Sequence, residues 1–260
     1  MYDPVMYSEE RKQKIREMIE TRGQVSVADL SHSLRVSEMT IRRDLMQLSE
    51  HGFVERTHGG AIATDYGFND FEAPMTDRIN HFSDEKRKIA SAVVRMIGEK
   101  ETVYLSSGST TYWVARYLVD RGDLTVIVNS IINAKILAQC KDMQIIVVGG
   151  FLRRSELSLV GHLAETTLKD LHVDKVIMGI RGIDPEYGLT SENPQELMTD
   201  RAMLGISNNI IIIADHTKFG FIAASRTAPV TAAKTIVTTT LAPAEIVERI
   251  TKQGVRVIQV

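Results

Sequence analysis

Several residues in the C-terminal part of the chain are of types that bind anions and sugar hydroxyls. The clearest group is Ser107–Thr111, in which Gly108 stands among hydroxyl side chains just before a predicted helix. A helix N-terminus offers backbone N–H groups and a favourable field to an anion, and glycine lets a ligand approach the backbone closely. The same composition also occurs in a plain serine-rich helix cap. The segment has neither Walker A nor G-x-G-x-x-G spacing, so nucleotide binding is not supported.

Small and polar residues also follow the other predicted strands. Because ligands bind beyond the carboxyl ends of parallel strands, we expect these residues to form one effector site. Its candidate members are Ser107, Gly108, Ser109, Thr110, Thr111, Asn129, Gly149, Gly150, Arg153, Arg181, Glu196, Asp215 and Lys218. The ligand that fits them is a phosphorylated sugar or a sugar acid.

Three of these candidates are the basic residues of the predicted site. Lys218 and Arg153 would supply positive charge to a phosphate, and Arg181 would either add to it or form an internal ion pair. Glu196 would accept hydrogen bonds from sugar hydroxyls or cap its own helix. His216 would contact an effector or remain in solvent.

A second set of chemically suited residues lies near the N-terminus, on a helix predicted to begin after Ser37. Its apolar face consists of Ile41, Leu45 and Leu48. This spacing leaves Thr40, Arg42 and Arg43 on or beside the opposite face, in the first turns of the helix. Arginine can contact guanine through two hydrogen bonds or bind phosphate, so we predict that this helix reads a DNA major groove.

The elements around this helix predict a winged helix-turn-helix over residues 1–62. Two apolar-striped helices precede it, and a Gly-Gly turn follows it in a predicted hairpin that carries Arg56 and His58. The hairpin would contact DNA beside the helix. Residues 8–60 contain nine Lys or Arg and nine Asp or Glu, so charge by itself does not favour DNA over solvent. We interpret Asp44 as a local structural residue that either holds an arginine or caps a turn.

Residues 84–260 alternate between apolar strands and helices. This alternation predicts a Rossmann-like, mainly parallel α/β domain with helices on both faces. Residues 63–83 contain Pro74 and several Asp and Asn, and are predicted to be a partly ordered linker.

The composition narrows the function classes further. Hydrophobic residues make up 43% of the 260 residues, enough for a core, and the net charge is −2. Cys140 is the single cysteine, which excludes an internal disulfide and favours the cytoplasm. No apolar run suits a membrane span or a signal peptide, so we expect no membrane partner. The histidines lack zinc-ligand spacing, so we expect no metal and no cofactor.

The N-terminal motif resembles the helix-turn-helix of DeoR-type bacterial transcriptional regulators. The matching positions are Arg11, Ile15, Ile19, Ser37, Thr40, Ile41, Arg42, Arg43, Asp44, Leu45 and Leu48, with Arg56–Ala61 similar to the wing. The resemblance continues through 85–90, 108–111, 128–129, 149–153, 161, 182–184 and 215–220, nearly the whole chain.

The resemblance implies a sensor domain similar to sugar-phosphate isomerases such as ribose-5-phosphate isomerase. In that family, phosphorylated sugars usually control the affinity of the N-terminal modules for an operator. Three positions depart from the family pattern. Ser106 is neutral where an acid is usual, Asp200 replaces a Lys or Arg, and Arg181 replaces a small or acidic residue. They imply an altered pocket and an unfamiliar effector.

Two functions follow as hypotheses. The favoured one is a metabolite-responsive regulator, most often a repressor, with no catalytic residues and a dimer or tetramer binding paired half-sites. The alternative is a sugar-phosphate isomerase with an accessory N-terminal domain, in which Lys218 and Asp215 transfer protons. The helix after Ser37, which is predicted to read DNA, has no role in an isomerase, and this favours the regulator.

Overall fold

A computed structural model describes residues 8–50, 54–57, 59–63 and 75–260. The chain divides into two compact units, residues 1–72 and residues 73–260. Each unit has its own elements and its own core.

The N-terminal unit has the predicted winged helix-turn-helix order. Its elements are α1 (Ser8–Arg22), β1 (Gln24–Ser26), α2 (Val27–Leu34), α3 (Glu38–Glu50), β2 (Val54–Arg56) and β3 (Gly60–Ala63). The three strands form an antiparallel sheet in the order β1-β3-β2. The helices bury the expected apolar stripes, including Ile15, Ile19, Leu30, Ile41, Leu45 and Leu48.

Local sequence signals fix the bounds of these helices. Gly23, with φ of 72°, follows α1, and the hydroxyl of Ser26 accepts the N–H of Asp29 at the start of α2. Ser37 caps α3 as predicted, since its hydroxyl accepts the N–H of Thr40 at 3.3 Å. The expected end of α3 at Gly52 lies outside the described residues.

The C-terminal unit is built on a seven-stranded, fully parallel sheet. Its strands are β4 (Thr102–Leu105), β5 (Thr125–Val128), β6 (Gln144–Val147), β9 (Lys175–Gly179), β12 (Ile210–Ile213), β14 (Thr235–Thr238) and β15 (Arg256–Gln259). Their order is β15-β14-β12-β9-β4-β5-β6. The chain leaves β4 in one direction and later crosses to β9 on its other side, so the order reverses between these two strands. Crevices at such points are where open parallel sheets bind ligands.

Helices cover both faces of this sheet, and a separate apolar cluster lies on each face. The helices are α4 (Met75–Asn80), α5 (Ser83–Val94), α6 (Ser109–Leu118), α7 (Ile131–Leu137), α8 (His162–Lys169), α9 (Pro194–Leu204) and α10 (Ala244–Lys252). The seven strands and the last six helices agree with the alternation read from the sequence.

Two small antiparallel additions were not predicted. They are the hairpin of β7 (Phe151–Arg153) with β8 (Ser158–Val160), and a sheet of β10 (Gly182–Asp184), β11 (Gly188–Ser191) and β13 (Ser225–Ala228). These short strands lie outside the alternation of strands and helices that predicts the parallel sheet, so that pattern does not mark them.

Helix α4 lies within the stretch predicted to be a linker, and α5 begins before the predicted domain start. The ordered part of residues 63–83 therefore belongs to the C-terminal unit, while 64–74 lie outside the described residues. The domain bounds 1–62 and 84–260 stay predictions. Among the described helices, none is long and apolar enough to cross a membrane.

Candidate functional site

Helix α3 presents the predicted DNA-reading residues on its exposed side. Arg42 and Arg43 are exposed, whereas Thr40 is half-buried and lies 2.9 Å from the Ser37 hydroxyl. Arg42 contacts Glu38 one turn earlier at 3.5 Å, and both side chains remain about half exposed. An exposed pair at this distance is weak, so a phosphate or a guanine can replace Glu38 at little cost.

Two further side chains belong to the same exposed face. Met39 is 80% exposed and Met46 is 44% exposed, which is unusual for methionine and suits apolar contact with a partner. Arg56 on the wing strand is also exposed. His58, the other predicted wing contact, lies outside the described residues.

Asp44 has the structural role expected from the sequence. Its carboxylate receives two hydrogen bonds from the Arg11 guanidinium, at 2.6 and 3.1 Å, and both side chains are almost fully buried. The pair joins α1 to α3 and raises the pKa of Arg11, chiefly through the hydrogen bond. It therefore fixes the orientation of the helix that carries Arg42 and Arg43.

The turn after β4 lies at the point where the strand order reverses. Gly108 has φ of 135° and ψ of 160°, a conformation that non-glycine residues rarely adopt, and no side chain caps the first turn of α6. Ser109 and Thr110 are nearly buried, and the Thr111 hydroxyl donates to the Gly108 carbonyl at 2.8 Å. The turn thus offers backbone N–H groups, whereas Thr111 uses its hydroxyl locally.

Asn129 supports this turn instead of facing outward. Its Oδ1 accepts the N–H of Ser107 at 3.1 Å, and its Nδ2 donates to the Leu159 carbonyl at 3.2 Å. Ser106 and Asn133, which the sequence did not single out as site residues, act similarly. The Ser106 hydroxyl accepts the N–H of Gly179, and Asn133 donates to the Ser106 carbonyl.

Gly149 and Gly150 differ in their surroundings. A side chain on Gly150 would meet the Val160 carbonyl oxygen at 2.7 Å, so this glycine allows the close approach of β8. Gly149 is exposed, and a methyl group added there would meet no atom within 4 Å, so nothing in the unit requires glycine at this position.

Two predicted site residues, Arg153 and Glu196, contact each other. Arg153 Nη1 lies 2.6 Å from Glu196 Oε2, and the Ser158 hydroxyl donates to Glu196 Oε1 at 2.9 Å. Glu196 therefore does not serve merely as a helix cap. Arg181 forms the internal ion pair considered above, with Glu192 at 3.6 Å, and lies over the ring of Phe221.

A second charged group surrounds Asp215. Its buried carboxylate caps the short helical turn His216–Lys218 by accepting the N–H of Thr217 at 3.1 Å. Although burial opposes ionisation, the charges of Lys218 and Lys86 lower the pKa of Asp215. Lys86 is not among the predicted site residues. It is itself buried, and burial lowers its pKa to about 7.

His216 pairs with protein instead of remaining in solvent. Its Nδ1 lies 2.8 Å from Glu85 Oε1, and Thr239 donates to Glu85 Oε2 at 2.6 Å. Burial alone would raise the pKa of Glu85, but these two hydrogen bonds lower it. Helix α5 is thereby joined to the loops that follow β12 and β14.

Helix α4 is attached to the β7–β8 hairpin, to α6 and to α5. The N–H of Met75 donates to Ser155, Arg78 forms an ion pair with Glu156, and Trp113 on α6 donates to the Ile79 carbonyl. Lys86 Nζ donates to the carbonyls of Arg78 and His81 at 2.5 and 2.6 Å. A displacement of the loop around Glu156 would therefore reach α4 directly.

Asp200 lies in a polar cluster on α9. It accepts a hydrogen bond from the Ser191 hydroxyl at 2.7 Å, and Ser191 lies 2.9 Å from the Thr227 hydroxyl. Burial, followed by the charge of Glu196, raises the pKa of Asp200 to about 7. Among the described residues, no group of three His, Cys, Asp or Glu is arranged to hold a metal ion.

Comparison with known families matches both units. Residues 11–66 match the DeoR-like helix-turn-helix domain, and residues 81–240 match the DeoR C-terminal sensor domain. The second match alone covers more than half of the chain.

Two curated relatives align along most of their length. The transcriptional repressor AccR of Agrobacterium fabrum is 34% identical over 232 residues, covering 89% of each protein. The glycerol-3-phosphate regulon repressor of Escherichia coli K12 is 32% identical, covering 83% of this chain and 84% of the relative. A solved ribose 5-phosphate isomerase from Methanocaldococcus jannaschii is 16% identical over 53% of this chain and 54% of that one. The TM-score of this alignment is 0.40.

Proposed function

The chain belongs to the DeoR family of transcriptional regulators, and we propose that it represses a carbohydrate-metabolism operon under the control of a phosphorylated sugar or sugar acid. The proposal rests on one observation. The N-terminal unit exposes Arg42 and Arg43 on a helix, and the C-terminal unit has the Gly108 turn at the point where the strand order of its sheet reverses. The family makes the protein a DNA-binding regulator and not an enzyme, so the isomerase alternative is set aside.

Operator binding is assigned to Ser37, Thr40, Arg42 and Arg43 on and before α3, with Arg56 and His58 on the wing. We assign the reading of a base to Arg43 because it lies in the early turns of a helix whose other face is buried. A homo-oligomer, dimer or tetramer, would present two such helices to half-sites about 34–36 Å apart or a multiple of that.

A gel-shift titration on DNA upstream of the gene tests this assignment. If Arg43 reads a guanine, Arg43→Ala costs about 1–3 kcal/mol and relaxes specificity at one base pair. If it binds phosphate, all sequences weaken alike and the salt slope falls by roughly one. Arg35→Ala is the control, since Arg35 lies before α3. Unchanged affinity in a folded Arg42→Ala, Arg43→Ala protein would contradict the proposal.

The effector phosphate is assigned to the N-terminal turn of α6, residues 107–111. Its support is the uncapped helix start and the φ of Gly108, together with the basic groups Lys86, Lys218, Arg78 and Arg181, whose charges act on one another and on Asp215. An anion bound at this turn would interact favourably with these four cations, whose charges Asp215, Glu156 and Glu192 balance in its absence.

Calorimetric titration with D-ribose 5-phosphate, sn-glycerol 3-phosphate and the unphosphorylated sugars tests this site. A carboxylate in Ser109→Asp would occupy the phosphate position and abolish binding, while Ser109→Asn retains the size without the charge. Tight binding of a neutral sugar that Ser109→Asp leaves intact would exclude a phosphate site.

Control of DNA affinity is assigned to α4, the first described element after residues 64–74. Because Arg78 pairs with Glu156 and Lys86 holds two carbonyls at the end of α4, an anion near Lys86 and Arg78 would compete for these contacts. Glu156→Gln should then bind the sugar phosphate but uncouple it from DNA affinity, and in wild type the coupling should be reciprocal. Normal coupling in this variant would exclude α4 as the relay.

A further inference from the structure

Strand β6 lies at one edge of the seven-stranded sheet, and among the described residues it pairs with β5 alone. The N–H groups of Gln144 and Val148 donate toward β5. Because successive residues of a strand direct their backbone groups to opposite sides, those of Ile145 and Val147 point away from the sheet. The β6 edge therefore presents N–H and C=O groups with which another strand can pair.

The side chains of β6 do not protect this edge. Ile146 is 44% exposed and Val147 is 47% exposed, and consecutive side chains point to opposite faces, so the strand is partly uncovered on both faces. Edge strands commonly avoid pairing through charged side chains, proline or a bulge. Strand β15, at the opposite edge, has Arg256 and Gln259 as its exposed residues, whereas β6 contains no charged residue. The β6 edge is thus the one suited to a partner strand.

The hairpin that follows β6 adds further exposed apolar side chains. They are Phe151 and Leu152 on β7 and Leu163 at the start of α8. A carbon added to Gly161 would lie 3.1 Å from the Phe151 ring, so this ring lies beside the turn that leads into α8. Only residues 148–150 separate the two strands, so the end of β6 and the start of β7 lie within about 14 Å of each other.

The exposed apolar area is close to what one copy contributes to a dimer. A standard interface buries about 800 Å² on each partner, about 60% of it apolar, so each supplies on the order of 500 Å² of apolar surface. Residues of this size have total surfaces of about 150–250 Å², so the exposed fractions of Ile146, Val147, Phe151, Leu152 and Leu163 amount to on the order of 400 Å². Patches of this size often mark interaction sites.

We propose that β6 pairs with β6 of a second copy of this chain, in antiparallel orientation and with a two-fold axis at Ile146. Centring on this residue lets Ile145 of each copy pair with Val147 of the other, each pair exchanging both of its N–H···O bonds. It places Ile146 opposite its own counterpart, so the facing side chains are apolar. The inference rests on the proposed operator binding by a homo-oligomer and names the surface that joins two of its copies.

Two properties of the molecule favour a second copy as the occupant of this edge. Pairing around a two-fold axis requires a surface that complements itself, and an uncharged apolar strand does so, whereas a strand carrying one sign of charge would repel its copy. A helix-turn-helix protein also needs a second copy to contact paired half-sites. The paired strands would join two seven-stranded sheets into one continuous sheet.

Sedimentation velocity of the full chain at micromolar concentrations tests this surface. We expect wild type to contain an even number of copies. Ile146→Lys should raise the dissociation constant of the β6 pair by about a hundredfold or more, because two ammonium groups would meet at the axis. Leu241→Lys is the control, since Leu241 is 62% exposed and lies outside the region. A monomeric wild type, or an unchanged oligomer in Ile146→Lys, would overturn the inference.

Disulfide cross-linking tests the register, and it decides the question if Ile146→Lys does not fold. Opposite residues of a non-hydrogen-bonded antiparallel pair have Cα atoms about 4.5 Å apart, a distance that a disulfide spans. In a Cys140→Ser background, Ile146→Cys should give a covalent dimer on mild oxidation with copper phenanthroline, whereas Leu241→Cys should not. Failure of Ile146→Cys to cross-link, or equal cross-linking of both variants, would contradict the pairing.

Gel shifts on the same preparations separate this inference from the proposed function. Loss of operator affinity together with dissociation in Ile146→Lys would support both. If wild type binds the upstream DNA and Ile146→Lys changes neither oligomer nor affinity, the inference alone fails. If wild type is joined through β6 in both tests but binds no upstream DNA, the proposed function fails and the pairing is confirmed.

Discussion

The arginines of helix α3 and those of the predicted effector site differ in exposure and in how tightly they are paired. Arg42 is about half exposed and lies 3.5 Å from the Glu38 carboxylate, whereas Arg153 is 11% exposed and lies 2.6 Å from Glu196. The first contact is local to one helix, and the second joins a hairpin to a distant helix. A surface that binds DNA keeps its charges available, while a pocket that selects a small ligand balances its charges internally until the ligand competes for them.

This contrast predicts that the largest stability loss in the N-terminal unit comes from substituting Asp44, which is buried away from the predicted DNA-reading face. Asp44→Ala leaves Arg11 buried without its carboxylate and should destabilise that unit by about 3–5 kcal/mol. Urea unfolding followed by far-UV circular dichroism would show an early transition. Trp113, the single tryptophan, lies in the other unit, so its fluorescence should not report that transition.

Glu38→Ala on the same helix is the matched control, because it removes an exposed carboxylate instead of a buried one. A loss no greater for Asp44→Ala than for Glu38→Ala would show that burial of the Arg11 pair has no energetic weight.

The stability of the C-terminal unit should depend on pH through Asp200, and helix α3 has no corresponding buried carboxyl group with a raised pKa among its described residues. The pKa of Asp200 is about 7 in the folded chain, above its ordinary value of 3.8, so the folded state holds this proton more tightly than the unfolded state. The associated stability is complete below about pH 4 and is lost as pH rises to about 7, by as much as about 4 kcal/mol.

Asp200→Asn should therefore flatten the stability profile of the C-terminal unit between pH 5 and 7, as followed by Trp113 fluorescence in urea. The groups that act on Asp200 are Glu196, the Ser191 hydroxyl, Arg153 and Glu156, and none of them is changed. Lys86 makes stability vary with pH only above its lowered pKa of about 7, outside this window. Parallel profiles for variant and wild type would exclude a raised pKa at Asp200.

A smaller effect is expected from the backbone of the ligand turn. Gly108→Ala places a side chain at φ of 135° and should cost about 1–3 kcal/mol, together with weaker binding of D-ribose 5-phosphate. Gly149→Ala is the control, since its added carbon meets no atom within 4 Å and its φ is ordinary. Equal stability of the two variants would show that the turn adopts another conformation in solution.

The smallest change in stability should accompany the clearest loss of function. Arg42→Ala removes only an exposed contact with Glu38, so unfolding should shift by less than about 0.5 kcal/mol. Operator affinity measured on the same preparation should nevertheless fall. A stability loss comparable to that of Asp44→Ala would mean that Arg42 supports the fold instead of reading DNA.

The sequence predicted the elements well wherever the signal was local. The stripe Ile41, Leu45 and Leu48, the cap at Ser37 and the alternation of seven strands with six helices all appear in the structure. It also gave pairing with an arginine as one of two structural roles for Asp44, and the structure shows that pairing with Arg11. The site residues assigned to DNA and to the effector stay predictions, although the structure brings Arg153 to Glu196 and Asn129 to Ser107.

What the sequence by itself determined is the order and type of the long elements and the exposed face of the reading helix, because periodicity and capping act over a few residues. Only the tertiary structure decided which charges meet. Arg11 reaches Asp44 across 33 positions, Glu85 reaches His216 across 131, and Ser158 reaches Glu196 across 38. Such pairs depend on strand order and on helix packing, and no spacing along the chain records them.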